Sequence, residues 1–244
     1  MKSFSALGAL VLMPLVTACV SSGHLDPLSE VAEASDHSLS RVRGWPVFIN
    51  SEWEASRPGV AAAVLAHLDN QLYRVERAVA PEQLDFLRSV NIWVEGGDPH
   101  GLLGGMCYHP DGGWLESHGY DPKRARGVEI SDPENFLVVT RTQPWVVMHE
   151  LAHAYHHQVL GFDNPEVVAL YESALSSGDY EETFRLRGRP DRHYALTNPM
   201  EYFAEGTEAY LGTNDYYPFV SGELARHDPS LAEYLAGIWE PSAR

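Results

Sequence analysis

The sequence predicts an α+β fold, with a small sheet in the first part of the chain and helices in the later part. Short runs of β-branched and aromatic residues, bounded by turn residues, lie before residue 141. Longer segments with apolar residues at helical spacing follow residue 143. The sequence has no internal repeat and no low-complexity segment, so we expect one domain of ordinary size.

The individual elements are predicted from the spacing of apolar residues and from the turn and helix-stop residues that bound each segment. Strands are predicted over residues 45–50, 86–95, 127–131 and 136–140. A helix is predicted over residues 59–80, where Val64 and Leu68 follow helical spacing and Pro81 stops the pattern. Residues 96–126 are rich in Gly, Pro, Asp and His and are predicted to form a long loop. Later helices are predicted over residues 144–160, 165–176 and 199–211, with a further pair around 216–239.

The first residues have the organisation of an export signal. Lys2 precedes an apolar run over residues 6–16, which is too short to span a bilayer as a permanent helix. The sequence Val-Thr-Ala-Cys that ends at Cys19 resembles a bacterial lipobox, in which cleavage leaves the cysteine first and its thiol becomes lipidated. We therefore predict a lipoprotein signal peptide over residues 1–18 and a lipid anchor at Cys19. An ordinary secretory signal is the alternative.

This signal predicts a location in the bacterial cell envelope, attached to a membrane through Cys19. Val20 and Ser21 carry no acidic retention signal, which favours the outer membrane over the inner one, with the protein facing the periplasm or the exterior. Residues 19–40 are polar, small and poor in aromatic side chains, so we predict a flexible tether there. The folded domain is predicted over residues 41–244.

The net charge of −17 excludes one class of partner. An acidic surface repels phosphate groups, so we expect no nucleic-acid binding. The same charge is compatible with a neutral or basic peptide. Composition therefore favours a peptide substrate over a nucleic acid.

A short motif on the helix predicted over residues 144–160 has the chemistry of a catalytic metal site. His149, Glu150 and His153 form the pattern H-E-x-x-H. Residues four apart lie on one face of a helix, so both imidazoles can bind one ion, for which zinc is the usual choice. Glu150 lies about 100° round the helix from His149, where a carboxylate can act as general base rather than as ligand. Two hydrogen-bonded core histidines are the alternative interpretation.

The third ligand is expected on a later helix. Val159, not histidine, stands six residues after His153, which excludes the metzincin pattern. Glu201, Glu205 and Glu208 share one face of the helix predicted over residues 199–211. We predict Glu201 as the third ligand and Glu205 as the carboxylate that accepts a hydrogen bond from a ligand histidine. Glu205 as ligand, or a simple solvated acidic face, are the alternatives.

With these two helices placed, the chain resembles the gluzincin metallopeptidases, in particular the catalytic domain of anthrax lethal factor and the Pro-Pro endopeptidases. The resemblance lies in the H-E-x-x-H motif, in the Glu-Tyr-Phe-Ala-Glu segment that begins at Glu201, and in Tyr194 seven residues before it. It implies a zincin-like fold with a helical C-terminal part. It also implies that Tyr194 donates a hydrogen bond to the oxyanion of the transition state. Neither the kinase substrates of lethal factor nor Pro-Pro specificity carries over.

The resulting hypothesis is a zinc-dependent metallopeptidase that hydrolyses a peptide or protein substrate. Two alternatives stay open: a zinc-binding lipoprotein without proteolytic activity, serving in envelope binding or assembly, and a zinc amidase acting on cell-wall peptides. Glu150 and Tyr194 favour the first hypothesis, because a purely structural zinc needs neither residue.

Other residues near the motif are weaker candidates. His156 and His193 are interpreted as helix or surface residues that could lie near the site, and Cys107 as a small buried residue without a disulfide partner. The strand segment 128–131 is a candidate edge for binding an extended peptide. The glycine-rich residues 101–106 are predicted to form a mobile loop near the cleft.

Overall fold

The computed structural model describes residues 27–186 and 188–241 and has an α+β architecture, in which helices pack against a five-stranded mixed sheet. The strands are β1 (His37–Val42), β2 (Trp45–Asn50), β3 (Ile92–Val94), β4 (Cys107–Tyr108) and β5 (Val128–Ile130). Their spatial order is β1-β2-β3-β5-β4. β2, β3 and β5 are parallel to one another, whereas β1 and β4 run antiparallel to their neighbours and form the two edges.

Eleven α-helices connect and cover these strands within the described residues. They are α1 (Pro27–Ala34), α2 (Ser51–Ser56), α3 (Pro58–Ala78), α4 (Pro81–Leu87), α5 (Gly112–Ser117), α6 (Pro133–Val139), α7 (Val146–Tyr155), α8 (Pro165–Ser177), α9 (Pro199–Leu211), α10 (Ser221–His227) and α11 (Pro229–Trp239). Six of the eleven, α6 to α11, follow the last strand in the chain, which agrees with the predicted α+β fold.

The ordered fold begins before residue 41. β1 pairs with β2 along its whole length through a two-residue turn at Arg43 and Gly44, both of which have positive φ angles (51° and 94°). Such a turn matches the twist of a β-hairpin. Helix α1 then covers Phe48 and Trp93, whose rings stack with centroids 4.3 Å apart. The prediction of a flexible tether is therefore wrong over residues 27–40, because this segment completes one face of the sheet.

The two faces of the sheet follow the alternation of the central strands. Val47 and Ile49 of β2 point into the main core, whereas Phe48 between them points to the face under α1. The same alternation places Ile92 and Val94 in the main core. Because successive side chains of a strand point to opposite faces, the main core lies on the side of the sheet where α3 and α7 pack.

Two of the predicted strands are helical in whole or in part. The prediction over residues 86–95 is confirmed only for β3, because α4 begins at Pro81 and runs to Leu87. The prediction over residues 136–140 is wrong, because this segment belongs to α6. The Asp132 side chain accepts a hydrogen bond from Asn135 N (2.9 Å) and Pro133 occupies the first turn, and these helix-start signals outweigh the β-branched valines that follow.

The remaining predictions agree with the structure more closely. β2 and α3 are found where they were expected, β5 occupies the predicted segment 127–131, and the predicted loop over residues 96–126 contains only β4, α5 and a short 3₁₀ turn. The helix predicted over residues 144–160 is α7 followed by a π-helical turn, His156–Leu160. α8, α9 and the C-terminal pair α10 and α11 are confirmed.

No helix among the described residues is long and apolar enough to cross a membrane. The predicted signal peptide over residues 1–18 and the lipid anchor at Cys19 lie outside the described residues. Both therefore stay predictions from the sequence.

The end of α9 is held against the start of α7 by a glycine. A β carbon built on Gly212 would lie 1.8 Å from Cε2 of the Trp145 indole ring, a distance that no real contact allows. Trp145 is buried and its ring also packs under the guanidinium of Arg74 (4.5 Å). Only glycine at position 212 lets these two helices approach so closely.

Replacing Gly212 with alanine is therefore expected to destabilise the protein by about 3 kcal/mol, because the added methyl overlaps the buried indole ring. Urea unfolding measures the effect. Gly237→Ala is the matched control: Gly237 lies exposed in α11 with no atom near the added methyl, and alanine there should raise stability by about 0.5–1 kcal/mol. Equal stability of the Gly212→Ala and unmutated chains would show that the contact with Trp145 is not rigid.

Candidate metal centre

The core of the site is carried by helix α7, which is buried along its whole length. His149 and His153 lie one turn apart on the same face, and their Nε2 atoms are 3.1 Å apart. The two rings are almost perpendicular, at 84°, with centroids 4.7 Å apart. The i, i+4 spacing thus brings both imidazoles to one point, as helical geometry requires.

Helix α9 brings a carboxylate to the same point. Asn198 caps the helix by accepting a hydrogen bond from Glu201 N (2.9 Å), and Pro199 occupies the first turn. Oε2 of Glu201 lies 3.1 Å from Nε2 of His149 and 3.3 Å from Nε2 of His153. The structure therefore brings together the three residues predicted as metal ligands.

The three ligand atoms fit a single ion. Metal–ligand distances of roughly 2.0–2.2 Å in a tetrahedral zinc site separate the ligand atoms by roughly 3.3–3.6 Å. The sides of the observed triangle are 3.1, 3.1 and 3.3 Å. Two imidazole nitrogens and one carboxylate oxygen are ligands that zinc accepts readily. The geometry and the donor set are thus compatible with one divalent ion that leaves further coordination positions open.

The orientation of His149 is set by Glu208. Nδ1 of His149 donates a hydrogen bond to Oε1 of Glu208 (2.8 Å). With a metal ion bound, this hydrogen bond would keep the proton on Nδ1 and leave the lone pair of Nε2 for the ion. The buried carboxylate of Glu208 therefore selects the tautomer that can bind a metal.

The role predicted for Glu205 belongs to Glu208. The nearest oxygen of Glu205 is 3.8 Å from Nδ1 of His149, which is too far for a hydrogen bond, and another Glu205 oxygen is 3.8 Å from Nδ1 of His193. Glu205 also lies on the Nδ1 side of His149, away from the triangle, so the alternative of Glu205 as third ligand is not favoured. Burial and the neighbouring charge of Glu208 raise the pKa of Glu205 well above its ordinary value.

Substituting Glu208 by glutamine is expected to weaken the binding of added zinc about 10- to 100-fold, because the His149 tautomer is no longer held by a charged acceptor. Competition with a chromogenic chelator measures the affinity. Glu172→Gln, an exposed site on α8, makes the same change of charge outside the cavity and should leave the affinity unchanged. Unaltered affinity in Glu208→Gln would contradict the role assigned to Glu208.

Glu150 is held beside the triangle without joining it. Its Oε2 accepts a hydrogen bond from the backbone N–H of Tyr108 in β4 (2.8 Å). Burial raises the pKa of Glu150, opposed by the neighbouring His149 and His153. Glu150 belongs to neither cluster of close ligand atoms in the described chain. Glu150 therefore lies beside the triangle and not in it, and its role as a base stays a prediction.

Tyr194 borders the same cavity as the triangle and Glu150, which has a volume of about 400 Å³. It begins a short 3₁₀ turn, Tyr194–Thr197, and its side chain is 47% exposed. Partial burial and the charge of Glu201 raise the pKa of the Tyr194 phenol. The hydroxyl group is therefore protonated at neutral pH and is available as a hydrogen-bond donor in the cavity.

The edge of the sheet that borders this cavity is β4. β5 lies between β3 and β4, so the prediction that residues 128–131 form a peptide-binding edge is wrong. The sequence of β4 is only two residues long and lies inside a region rich in turn residues, which is why periodicity did not reveal it. Cys107 of β4 lines the cavity, and burial together with Glu150 and Glu129 raises the pKa of its thiol. Cys107 belongs to neither cluster of close ligand atoms among the described residues, so it is not a candidate ligand.

Two other histidines are buried away from the triangle. His193 caps the turn at Tyr194 by accepting a hydrogen bond from Ala195 N (3.0 Å), and its ring stacks on Tyr216 at 4.8 Å. His156 packs between Phe162 and Phe203, with centroids 5.2 and 4.9 Å away. Both therefore serve the fold, and neither lines the cavity.

The environment of His156 predicts an acid-sensitive fold. Its imidazole is fully buried, and neither nitrogen has a hydrogen-bond partner among the described residues. Burial, followed by the neighbouring His153 and His157, lowers the pKa of His156 from 6.5 to about 4. The unfolded chain therefore takes up a proton between these pH values that the folded protein does not. Stability is complete above pH ~6.5 and falls as the pH drops toward ~4, by roughly 3 kcal/mol in total.

His156→Phe is expected to flatten the decline in the free energy of unfolding between pH ~6.5 and ~4 relative to the unmutated protein. Chemical denaturation at several pH values, with chelator present throughout, measures both slopes. The exposed His118 provides a control, since His118→Phe should keep the original slope. Parallel pH profiles of the His156→Phe and unmutated proteins would rule out this histidine as the source.

Comparison of the chain with protein-family models, with curated proteins and with solved structures finds no match.

Proposed function

We propose that this chain is a zinc-dependent metallopeptidase with a zincin-like fold, anchored to the bacterial cell envelope through a lipid on Cys19. The observation that carries the proposal is the triangle of His149, His153 and Glu201, whose ligand atoms are 3.1–3.3 Å apart and border one cavity with Glu150 and Tyr194. The resemblance of the same residues to the gluzincin motifs supports it. The anchor rests on the sequence of residues 1–19 alone.

A zinc ion held by His149, His153 and Glu201 would polarise the carbonyl of the scissile bond and make water a stronger nucleophile. The chain itself supplies the general base and the donor to the oxyanion. Glu150 has one oxygen held by Tyr108 N, which leaves the other free to accept a proton from the attacking water. The same carboxyl group then delivers this proton to the departing amine, so peptide hydrolysis consumes one water and leaves Glu150 unchanged.

Tyr194 has the properties of an oxyanion donor. Its hydroxyl group is protonated at neutral pH, and the residue borders the cavity. A phenol so placed can donate a hydrogen bond to the negative charge that develops on the carbonyl oxygen. This role is the one that the resemblance implies for Tyr194.

The substrate is proposed to lie along β4. Gly104, Cys107 and Tyr108 border the cavity, and β4 is an edge strand that has a neighbour on one side only within the described chain. Extended peptides bind such edges by adding a strand. A peptide placed there would run past Glu150, which contacts the same strand through Tyr108.

The test is to purify the full-length chain, measure bound zinc, and incubate the protein with a library of blocked peptides and, separately, with cell-wall peptides. We expect about one equivalent of zinc, cleavage of peptide bonds, and loss of cleavage after chelation that added zinc restores. Zinc binding without cleavage of any peptide would contradict the proposal and favour a binding or assembly protein. Cleavage of cell-wall amides alone would favour the amidase alternative.

A further inference from the structure

An apolar recess lies next to the metal cavity. Its volume is about 320 Å³, and its apolar walls are Leu102 and Leu103 on the loop before β4 and Pro110 and Trp114 on the segment after β4. The only carboxylate among its lining residues is Asp111, which accepts a hydrogen bond from Gly113 N (2.8 Å) as the cap of α5. The recess therefore offers mainly hydrocarbon and aromatic surface, with one carboxylate at Asp111.

The recess and the metal cavity both adjoin β4. Gly104, Cys107 and Tyr108 line both spaces. A peptide that follows β4 past Glu150 would therefore place a side chain beside or inside the recess. Since successive side chains of an extended peptide point to opposite sides, one residue close to the scissile bond would fill it.

The apolar walls are exposed in the absence of a ligand. Leu102 is 56% exposed and Trp114 is 41% exposed, in a chain whose net charge is −17. Large apolar side chains that converge on one recess in a charged surface are typical of ligand-binding sites. Their position beside a candidate catalytic cavity indicates that the ligand is part of the substrate.

The two walls are held in place before any ligand binds. The Trp114 ring stacks on His118, with centroids 4.1 Å apart. On the other wall, Asp98 accepts hydrogen bonds from Leu103 N (2.6 Å) and from the hydroxyl group of Tyr120 (2.7 Å). Tyr120 follows α5 in the chain, so Asp98 links the loop that carries Leu103 to the end of the segment that carries Trp114. A recess with fixed walls loses little conformational entropy when it is filled.

We propose that this apolar recess selects peptides with a bulky aliphatic or aromatic residue close to the scissile bond. An acidic side chain there would lose its hydration and meet the carboxylate of Asp111, so such peptides are rejected. The proposal rests on the proposed peptidase function for the cleavage itself. Selective peptide binding, in contrast, does not need catalysis and can be measured separately.

The experiment uses the full-length, zinc-loaded chain and blocked alanine-based peptides with lysine at both ends, in which one leucine, phenylalanine or aspartate is moved through each position. Cleavage gives kcat/KM, and fluorescence anisotropy of labelled peptides with the Glu150→Gln variant gives affinity. We expect leucine or phenylalanine at one position to improve both quantities roughly 10- to 100-fold over alanine. Trp114→Ala and Leu102→Ala should remove most of this gain, and both side chains are exposed enough for the fold to persist.

Tyr73→Ala is the matched control, because Tyr73 is an aromatic residue of α3 that is 47% exposed and lines neither space. This variant should keep the full preference. A chain that cleaves nothing but binds the leucine or phenylalanine peptides more tightly, through Trp114, would support the recess and overturn the peptidase proposal. Equal affinity for alanine, aspartate and leucine peptides, or a preference that Trp114→Ala leaves intact, would overturn the assignment of the recess.

Discussion

Glu150→Gln is expected to lower the rate of peptide hydrolysis roughly 100- to 10,000-fold while zinc binding is retained. Glutamine keeps the shape of the side chain and can still accept the hydrogen bond from Tyr108 N, but it cannot take a proton from water. The ligand triangle does not include Glu150, so the metal content should stay close to that of the unmutated protein. Steady-state kinetics and metal analysis on the same preparation measure both quantities.

The control for this substitution is Glu172→Gln, which removes one carboxylate from the exposed surface of α8 and should not affect the rate. A Glu150→Gln protein that holds zinc and hydrolyses peptides at the normal rate would show that another group is the base. Loss of zinc together with activity would place Glu150 among the ligands instead.

Glu201→Ala is expected to lower zinc affinity more than about 100-fold, which exceeds the effect of removing a residue that only orients a ligand. Oε2 of Glu201 is 3.1 and 3.3 Å from the two ligand nitrogens, whereas Glu205 has no atom in the triangle. Glu205→Ala should therefore reduce the affinity much less. Chelator competition on both variants measures the difference.

Circular dichroism and thermal unfolding of the two metal-free variants show whether each protein is folded before its affinity is compared. Glu205 is the matched control, since it lies on the same helix one turn from Glu201 and is also a glutamate. If Glu205→Ala lost more affinity than Glu201→Ala, the two assigned roles would have to be exchanged.

The parts of the fold that were predicted correctly depend on neighbours in sequence. α9 has a cap at Asn198 and a proline at position 199, and its predicted bounds are those found. The strand β2 is a short apolar run bounded by turn residues, and this pattern predicts a strand. Local signals of this kind act within a few residues, so they can be recognised without knowledge of the tertiary structure.

The errors have physical causes that can be named. The β-hairpin of β1 and β2 was missed because its turn is Arg43-Gly44, in which only the second residue has the usual preference for positive φ. Residues 136–140 carry β-branched side chains that favour strands, but the Asp132 cap and Pro133 start a helix whose Phe136 is buried in the core. A local propensity is weaker than a cap combined with burial of a large aromatic side chain.

The sequence by itself predicted the candidate ligand pair: His149 and His153 lie on one face of α7 because residues four apart on a helix always do, and Glu150 must then point beside them. Only the tertiary structure decided which carboxylate of α9 lies beside which imidazole nitrogen of the two histidines. Glu201, Glu205 and Glu208 share one face, so their roles depend on how α9 packs and turns against α7, where Gly212 contacts Trp145. The edge position of β4 was likewise decided by strand pairing between distant segments, because hydrogen bonds between strands carry no signal that is local in sequence.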